Sequence, residues 1–334
     1  MGVTARNVVP LQVLEVTNRN ELCGALADNG GRGSLETVRI TSCLQGAFGG
    51  VGNGLMEYYS IVLAGLAAGL NVLNGCSDPN MVQSYGLDII ATQVSPPVAL
   101  TWEEACDMQS CEAPGYPGTC RNHINNVAGV IRRDFQSFAK AWQSTHPSTE
   151  IDDVSIHWRC GDILTFPMSE YGFVQYETYA DAIESSLTQA GRNSQKISIG
   201  IISAPLDSDR CRKFDCKAID KCKQLLDDVI SYLQGRFPEA IINARNDSTE
   251  DILSSFARMV ASDVVICGPS TFCILPTISS EGQAAIVQSD KLYPWTNALA
   301  KVQENIKIIS DPFIPSTEAR SLELGALKSR LRNE

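Results

Sequence analysis

Histidine is scarce in this chain, with three in 334 residues, and basic charge is outnumbered: 27 Lys and Arg face 38 Asp and Glu, for a net charge of −11 and a pI near 4.9. A protein that grips nucleic acid over a broad face needs a basic surface, so that class is excluded, although a local cationic pocket is not. No Cys-x-x-Cys pair occurs, and only His123 stands near a cysteine cluster, which argues against a structural zinc site. The dinucleotide fingerprint Gly-x-Gly-x-x-Gly is missing, and no acidic residue closes the following strand at the expected distance. An NAD-dependent oxidoreductase therefore fits poorly. The most apolar stretch, IVLAGLAAGLNVL at 61–73, falls short of the ~20 residues a spanning helix requires. There is no internal repeat and no low-complexity tract.

What is present suits a folded protein of two ordinary domains: 44% of residues are hydrophobic and 19% charged. Twelve cysteines is a high count. Cys106, Cys111 and Cys120 form one cluster, and Cys211, Cys216 and Cys222 another, both among charged and turn residues. Such cysteines read as disulfides of a secretory-pathway protein, with connectivity left open. The triplet Asn246-Asp247-Ser248 is an N-glycosylation acceptor pattern. The expected location is the lumen of the Golgi or ER. The leader and any membrane anchor would then belong to a longer protein.

The first half holds strand candidates LQVLEV and TVRITSC. The second runs into Gly46–Gly54, which has five glycines in nine residues, and a helical pattern follows from Leu55 to about Leu73. Strand, glycine loop and helix is a layout for a phosphate- or sugar-binding turn. Residues 95–120 read as an irregular, cross-linked loop, and Asn122–Thr145 as an amphipathic helix. His146-Pro147 in the polar stretch 144–153 marks the domain boundary, giving domains 1–150 and 151–334. Strand and helix then alternate four times: VSIHW, a helix from Tyr176, KISIGIIS, a helix from Cys216, AIINA, a helix from Thr249, DVVICG, and finally AAIVQS. That pattern predicts an α/β fold whose C-terminal domain is a doubly wound parallel sheet.

Three segments carry chemistry. In VSIHWRCGDIL, Arg159 has the planar fork to hold two phosphate oxygens, or it forms an ion pair with Asp162 three residues on. His157 shares its strand face with Arg159 and either donates to a ligand or is a satisfied core histidine. Asp162, behind Gly161, orients Arg159, caps the next segment or serves as a base. In the glycine loop, Gly50 and Gly52 let backbone approach a ligand, and Asn53 offers an amide to a sugar hydroxyl or phosphate. In CGPSTF, Ser270 and Thr271 suit an anion at a helix start or are ordinary caps, and Phe272 packs on a base or fills the core. Asp207-Ser208-Asp209 reads as a solvated loop more than a metal site, because Arg210, Arg212 and Lys213 neutralise it.

With these segments in order, the chain resembles the fucosyltransferase superfamily, which comprises the alpha-1,2- and alpha-1,6-fucosyltransferases and the protein O-fucosyltransferases. GGVGNGLMEYYSIVLAGLA is similar to the family's Gly-Gly-Leu-Gly-Asn-Gln loop and helix. HWRCGD is similar to its His-x-Arg-Arg-Gly-Asp signature, and EDILSSFARMVASDVVICGPSTF to its late helix, strand and Ser-Thr-Phe turn. The resemblance implies the GT-B arrangement of two Rossmann-like domains facing a cleft. It also implies GDP-fucose as donor, a glycan or glycoprotein acceptor, inversion at the anomeric carbon, and no metal or other cofactor. Under it, Arg159 holds the diphosphate and His157 contacts the nucleotide. Ser270, Thr271 and Phe272 line the phosphate and base pocket, Asn53 faces the sugar, and Asp251 or one of its neighbours reaches the guanine. The chain departs from the pattern at Cys160, where the family has its second arginine, at Gly54, and at Ile274-Leu275. Another nucleotide sugar, or a non-catalytic carbohydrate-binding protein on the same fold, are the alternatives.

Overall fold

The computed structural model describes residues 12–41, 51–75, 101–107, 126–167, 171–192, 196–206, 215–246, 251–288, 303–310 and 313–334. Gly50, the triplet Asp207–Asp209, Asp247 and Ser248, and the cysteines Cys111, Cys120 and Cys211 lie outside them. The chain divides into two compact units, Met1–Val127 and Ala128–Glu334.

In the first unit, β1 (Gln12–Val16), β2 (Leu35–Ile40) and β3 (Asn71–Asn74) form a parallel sheet in that order. Helix α1 (Arg19–Asp28) begins at a reciprocal cap. Asn18 Oδ1 accepts the Glu21 N–H at 3.1 Å, and the Glu21 carboxylate accepts the Thr17 N–H at 2.6 Å. Helix α2 (Val51–Ala67) is buried along most of its length. It starts earlier and stops earlier than the sequence suggests, so that Gly52, Asn53 and Gly54 lie in its first turn and Asn71–Asn74 is a strand. Gly69 accounts for the stop. It takes φ +69°, the Gly69 N–H returns to the Leu66 carbonyl at 3.0 Å, and the Leu70 N–H returns to Gly65 at 2.9 Å. These two bonds close a left-handed C-terminal cap and turn the chain into β3. A short α3 (Trp102–Cys106) opens on a capping box between Thr101 and Glu104, and the Cys23–Cys106 disulfide ties it to α1.

The second unit begins with α4 (Ala128–Thr145). This helix lies ahead of the expected 150/151 boundary but packs inside the second unit. Its Phe135, Phe138 and Trp142 face the core, with Phe135 edge-on to Phe256 at 5.6 Å. The main sheet contains β4 (Val154–His157), β6 (Ser198–Ile202), β7 (Ile241–Arg245), β8 (Val264–Cys267), β9 (Gln283–Gln288) and β10 (Ile306–Ser310). All are parallel, in the spatial order β10-β9-β8-β4-β6-β7. Helices α6 (Tyr176–Gln189), α7 (Cys216–Arg236), α8 (Ile252–Ala261) and α9 (Thr271–Ser279) join successive strands.

This is the doubly wound sheet expected of the C-terminal half. Numbered along the chain, its strands run 3-2-1-4-5-6, the Rossmann order. Strands advance one way from β4 to β7 and the other way from β8 to β10. With crossovers of one hand, α6 and α7 therefore cover one face and α8 and α9 the other. Central strands β4 and β8 are buried throughout, whereas the edge strand β7 is half exposed.

Some elements lack a sequence signal. A two-stranded antiparallel pair joins β5 (Gly172–Val174) to β11 (Phe313–Pro315), followed by α10 (Ser316–Ser321) and α11 (Leu324–Arg332). These carry the C-terminal segment back onto the stretch after β4. The Ser316 N–H donates to the Tyr171 carbonyl at 2.8 Å, and the Ser316 hydroxyl donates to the Phe166 carbonyl at 2.6 Å.

Just before β4, the Asp152 carboxylate is 2% exposed and is held under the sheet by Asn243 Nδ2 at 2.8 Å and by Arg245 Nε and Nη2 at 3.0 and 3.1 Å. Arg245 Nη2 also reaches the exposed Glu150 carboxylate at 3.1 Å, so it is removal of Arg245 that strands a charge, the buried Asp152 carboxylate, at a cost of about 3–5 kcal/mol. Arg245→Met is therefore expected to lower the urea-unfolding free energy by roughly that amount. A double replacement of Asp152 and Arg245 by apolar residues should lose much less. Equal losses in the two variants would show that the pair, not the stranded charge, matters.

Candidate functional site

Ligands of an open parallel sheet bind beyond the carboxyl ends of its strands, where the winding reverses. In the second unit that switch lies between β4 and β8. His157 and Cys267, the last residue of each, are register partners. Two of the three segments singled out in the sequence thus leave the sheet side by side. HWRCGD follows one strand and CGPSTF the other.

Beyond β4, the Trp158 N–H adds one more ladder bond to the Ile202 carbonyl at 2.9 Å, and the chain then turns at Gly161. Gly161 has φ +63° and ψ −84°, a conformation that glycine alone adopts without strain. The turn brings Asp162, at the start of the single-turn α5 (Asp162–Thr165), back to Arg159. Arg159 Nε lies 3.2 and 3.1 Å from the two carboxylate oxygens, and Nη2 also bonds Oδ2. The guanidinium lies over the Tyr171 ring at 4.0 Å, and both partners of the ion pair are partly buried. The fork is thus fixed from one side by a carboxylate and from below by an aromatic face. Of the roles considered for Asp162, orienting Arg159 is the one this geometry displays. Tyr171 carries no sequence signal for this role: it sits nine residues beyond Asp162, and no spacing rule links the two.

Beyond β8, Ser270 caps α9. Its hydroxyl accepts the Phe272 N–H at 3.2 Å, and Thr271 opens the helix. The remaining first-turn N–H groups have no partner within the helix, and the positive end of its dipole lies there. Phe272 stacks with His157 at 5.2 Å and with Phe256 at 4.6 Å, so its ring is engaged by protein rings.

His157 is 6% exposed, and its Nδ1 has no hydrogen-bond partner among the described residues. Burial, with a smaller contribution from the Arg159 charge, pushes its pKa down to about 3. The ring is therefore neutral at working pH. A buried ring nitrogen without a partner costs about 1–3 kcal/mol until water or a ligand supplies one.

Asp251 is the N-cap of α8. Its Oδ1 accepts the Ser254 N–H at 2.7 Å and the Ser254 hydroxyl at 2.8 Å. Gly52 and Asn53 lie in the first unit, in the opening turn of α2. Glu57, one turn on from Asn53, accepts the Arg19 N–H at 3.2 Å, and burial raises its pKa. The structure therefore assembles Arg159, Asp162, His157, Ser270, Thr271 and Phe272 around one pair of strand ends.

The cysteines join this site in a way the two sequence clusters do not suggest. Cys160, beside Arg159, is bonded to Cys222 of α7, and Cys267 to Cys273 across the Ser270 turn. The second pair had a legible signal, two cysteines six residues apart flanking Gly-Pro-Ser-Thr. However, both sit in apolar runs and fall outside the polar clusters.

No family model and no curated protein matches the chain. Among solved structures it is similar to POFUT1 in complex with GDP, at 12% identity and a TM-score of 0.35, over 72% of this chain and 96% of that one. It is also similar to an alpha,alpha-trehalose-phosphate synthase (UDP-forming) from Burkholderia xenovorans, at 13% identity and a TM-score of 0.32, over 96% of this chain and 68% of that one. At these values neither likeness carries a functional argument.

The depressed pKa of His157 has a measurable sign. Below pH 6.5 the unfolded chain binds this proton and the folded one does not, so stability falls as pH drops. The loss is about 1.4 kcal/mol per pH unit until the folded pKa near 3 is reached. His157→Asn is expected to flatten the fall in urea-unfolding free energy between pH 6.5 and 4.5 by about 2 kcal/mol. An unaltered slope would mean that the ring titrates normally in the fold.

Proposed function

We propose that the second unit binds the diphosphate and nucleoside of a nucleotide sugar at the β4–β8 strand ends, and that the protein is a GT-B-type glycosyltransferase. The donor favoured by the signature HWRCGD is GDP-fucose. The sugar passes with inversion, without a metal, to a hydroxyl of a glycan or glycoprotein. The observation that carries this reading is the register pairing of His157 with Cys267 at the switch point. It puts an oriented guanidinium on one side of the crevice and a capped helix start on the other.

The chemistry follows from charge. As the bond between sugar and diphosphate breaks, positive charge develops on the ring and negative charge on the departing phosphate. Arg159 and the first-turn N–H groups of α9 stabilise that negative charge more in the transition state than in the ground state. They are already in place before the reaction and need no reorganisation. Asp162 and Tyr171 keep the fork aimed, and the neutral His157 offers an uncommitted ring nitrogen to the nucleotide.

The disulfides Cys23–Cys106, Cys160–Cys222 and Cys267–Cys273 support a lumenal compartment of the secretory pathway.

Titration calorimetry with GDP, UDP and the matching sugar nucleotides identifies the donor, and the absence of binding by all of them would point to the non-catalytic reading.

Arg159→Ala is expected to cut donor cleavage by about a hundredfold or more and to weaken nucleotide binding while leaving the unfolding midpoint close to the parent's. Full turnover in that variant would remove Arg159 from the mechanism. Chelation by EDTA is expected to leave the rate unchanged. Inhibition reversed by manganese would instead assign a metal role to Asp207 and Asp209.

A further inference from the structure

The Ser270 turn is short, and the Cys267–Cys273 disulfide encloses all of it. Cys267 ends β8, Gly268 and Pro269 turn the chain, Ser270 caps α9, Thr271 and Phe272 form its first turn, and Cys273 closes the ring. Both cysteines are fully buried. The space around the turn is tight: a Cβ at Gly268 would come within 2.9 Å of the His157 carbonyl and 3.1 Å of the Tyr179 hydroxyl.

A cross-link over six residues restrains the unfolded chain far less than one that closes a long loop. Strand β8 and helix α9 are also packed together in the core without it. What the bond adds is local. It fixes where the helix begins relative to the strand end, and hence where its unpaired N–H groups point. A second, independent feature marks this turn as a place for a ligand: His157, nine-tenths buried with Nδ1 unpartnered, stacks on Phe272 within it.

We propose that the Cys267–Cys273 disulfide is a positioning group for the phosphate of the bound nucleotide. It holds the Ser270–Thr271–Phe272 backbone in the geometry that an anion needs, so affinity for phosphate does not have to meet the entropic cost of ordering the turn. The proposal rests on the nucleotide-diphosphate reading of this site. It makes the disulfide a determinant of one part of the ligand only. The phosphate contacts depend on it, and the nucleoside contacts do not.

The test compares GDP with guanosine by calorimetry on the unaltered protein and on Cys267→Ala/Cys273→Ala. Cys23→Ala/Cys106→Ala serves as a control that removes a disulfide of the first unit. The expected result is a tenfold or greater rise in the Kd for GDP in the Cys267/Cys273 variant, with guanosine affinity held within about twofold. The control should lose thermal stability without losing the extra affinity that the diphosphate confers. If the double alanine does not fold, Cys267→Ala/Cys273→Val refills the buried volume and should show the same split. Equal weakening of GDP and guanosine, or unchanged GDP affinity in a folded variant, overturns the proposal. An unaltered protein that binds guanosine but gains nothing from the diphosphate also overturns it. Failure of the unaltered protein to bind either compound removes the underlying nucleotide reading, and the inference with it.

Discussion

Everything at the candidate site depends on the lateral pairing of β4 with β8. These strands are far apart in sequence and belong to the two oppositely wound halves of the sheet. Each is buried on both faces, so its polar atoms must find partners inside. Ser262 spends its only hydroxyl proton on the Arg258 carbonyl at 2.8 Å, so the 2.6 Å contact with Ser155 requires Ser155 to donate. This bond ties the middle of β4 to the end of α8. A register slip by one residue would turn Ser155 away from Ser262 and His157 away from Phe272. The register that satisfies the core is therefore the one that sets the chemistry at the rim.

An acidic protein can still carry a locally cationic site. Net charge acts at long range and is screened beyond about 10 Å. Binding depends on the few groups within contact distance. Arg159 is paired with Asp162, which lowers the charge it presents while fixing its direction. The dipole end of α9 supplies further positive potential without a side-chain cation. Such a site favours a ligand that matches its geometry over any passing anion.

The alternation of β-branched runs with amphipathic stretches made the second unit legible. β4, β6, β7, β8 and β9 all lie where short apolar runs placed them, and α6, α7 and α8 between them. Those signals are local, and so is the capping signature of Ser270. What the sequence hid is non-local or depends on one backbone angle. The apolar periodicity of α2 runs on past Ala67, and only the left-handed Gly69 ends the helix. The β5–β11 pair joins segments some 140 residues apart and carries no periodicity of its own. Tyr171 acquires its place under Arg159 from that pairing, through the bond its carbonyl accepts from Ser316. The identity of Arg159 and Asp162 was visible, but their mutual geometry needed the Gly161 turn.

Cys160 shows how a departure from a motif can be read physically. The signature that HWRCGD resembles has a second arginine at this position, a flexible cation. Here a half-cystine anchors the chain to α7 through Cys222. A covalent tie cannot stabilise charge, but it does limit how far the neighbouring Arg159 backbone can move. Rigidity raises rate only if the fixed groups already match the transition state, because a preset group gains nothing from rearrangement during the reaction. The cross-link that encloses the Ser270 turn follows the same logic on the opposite strand. With the segment after each strand end held by a disulfide, the geometry of this rim depends on placement.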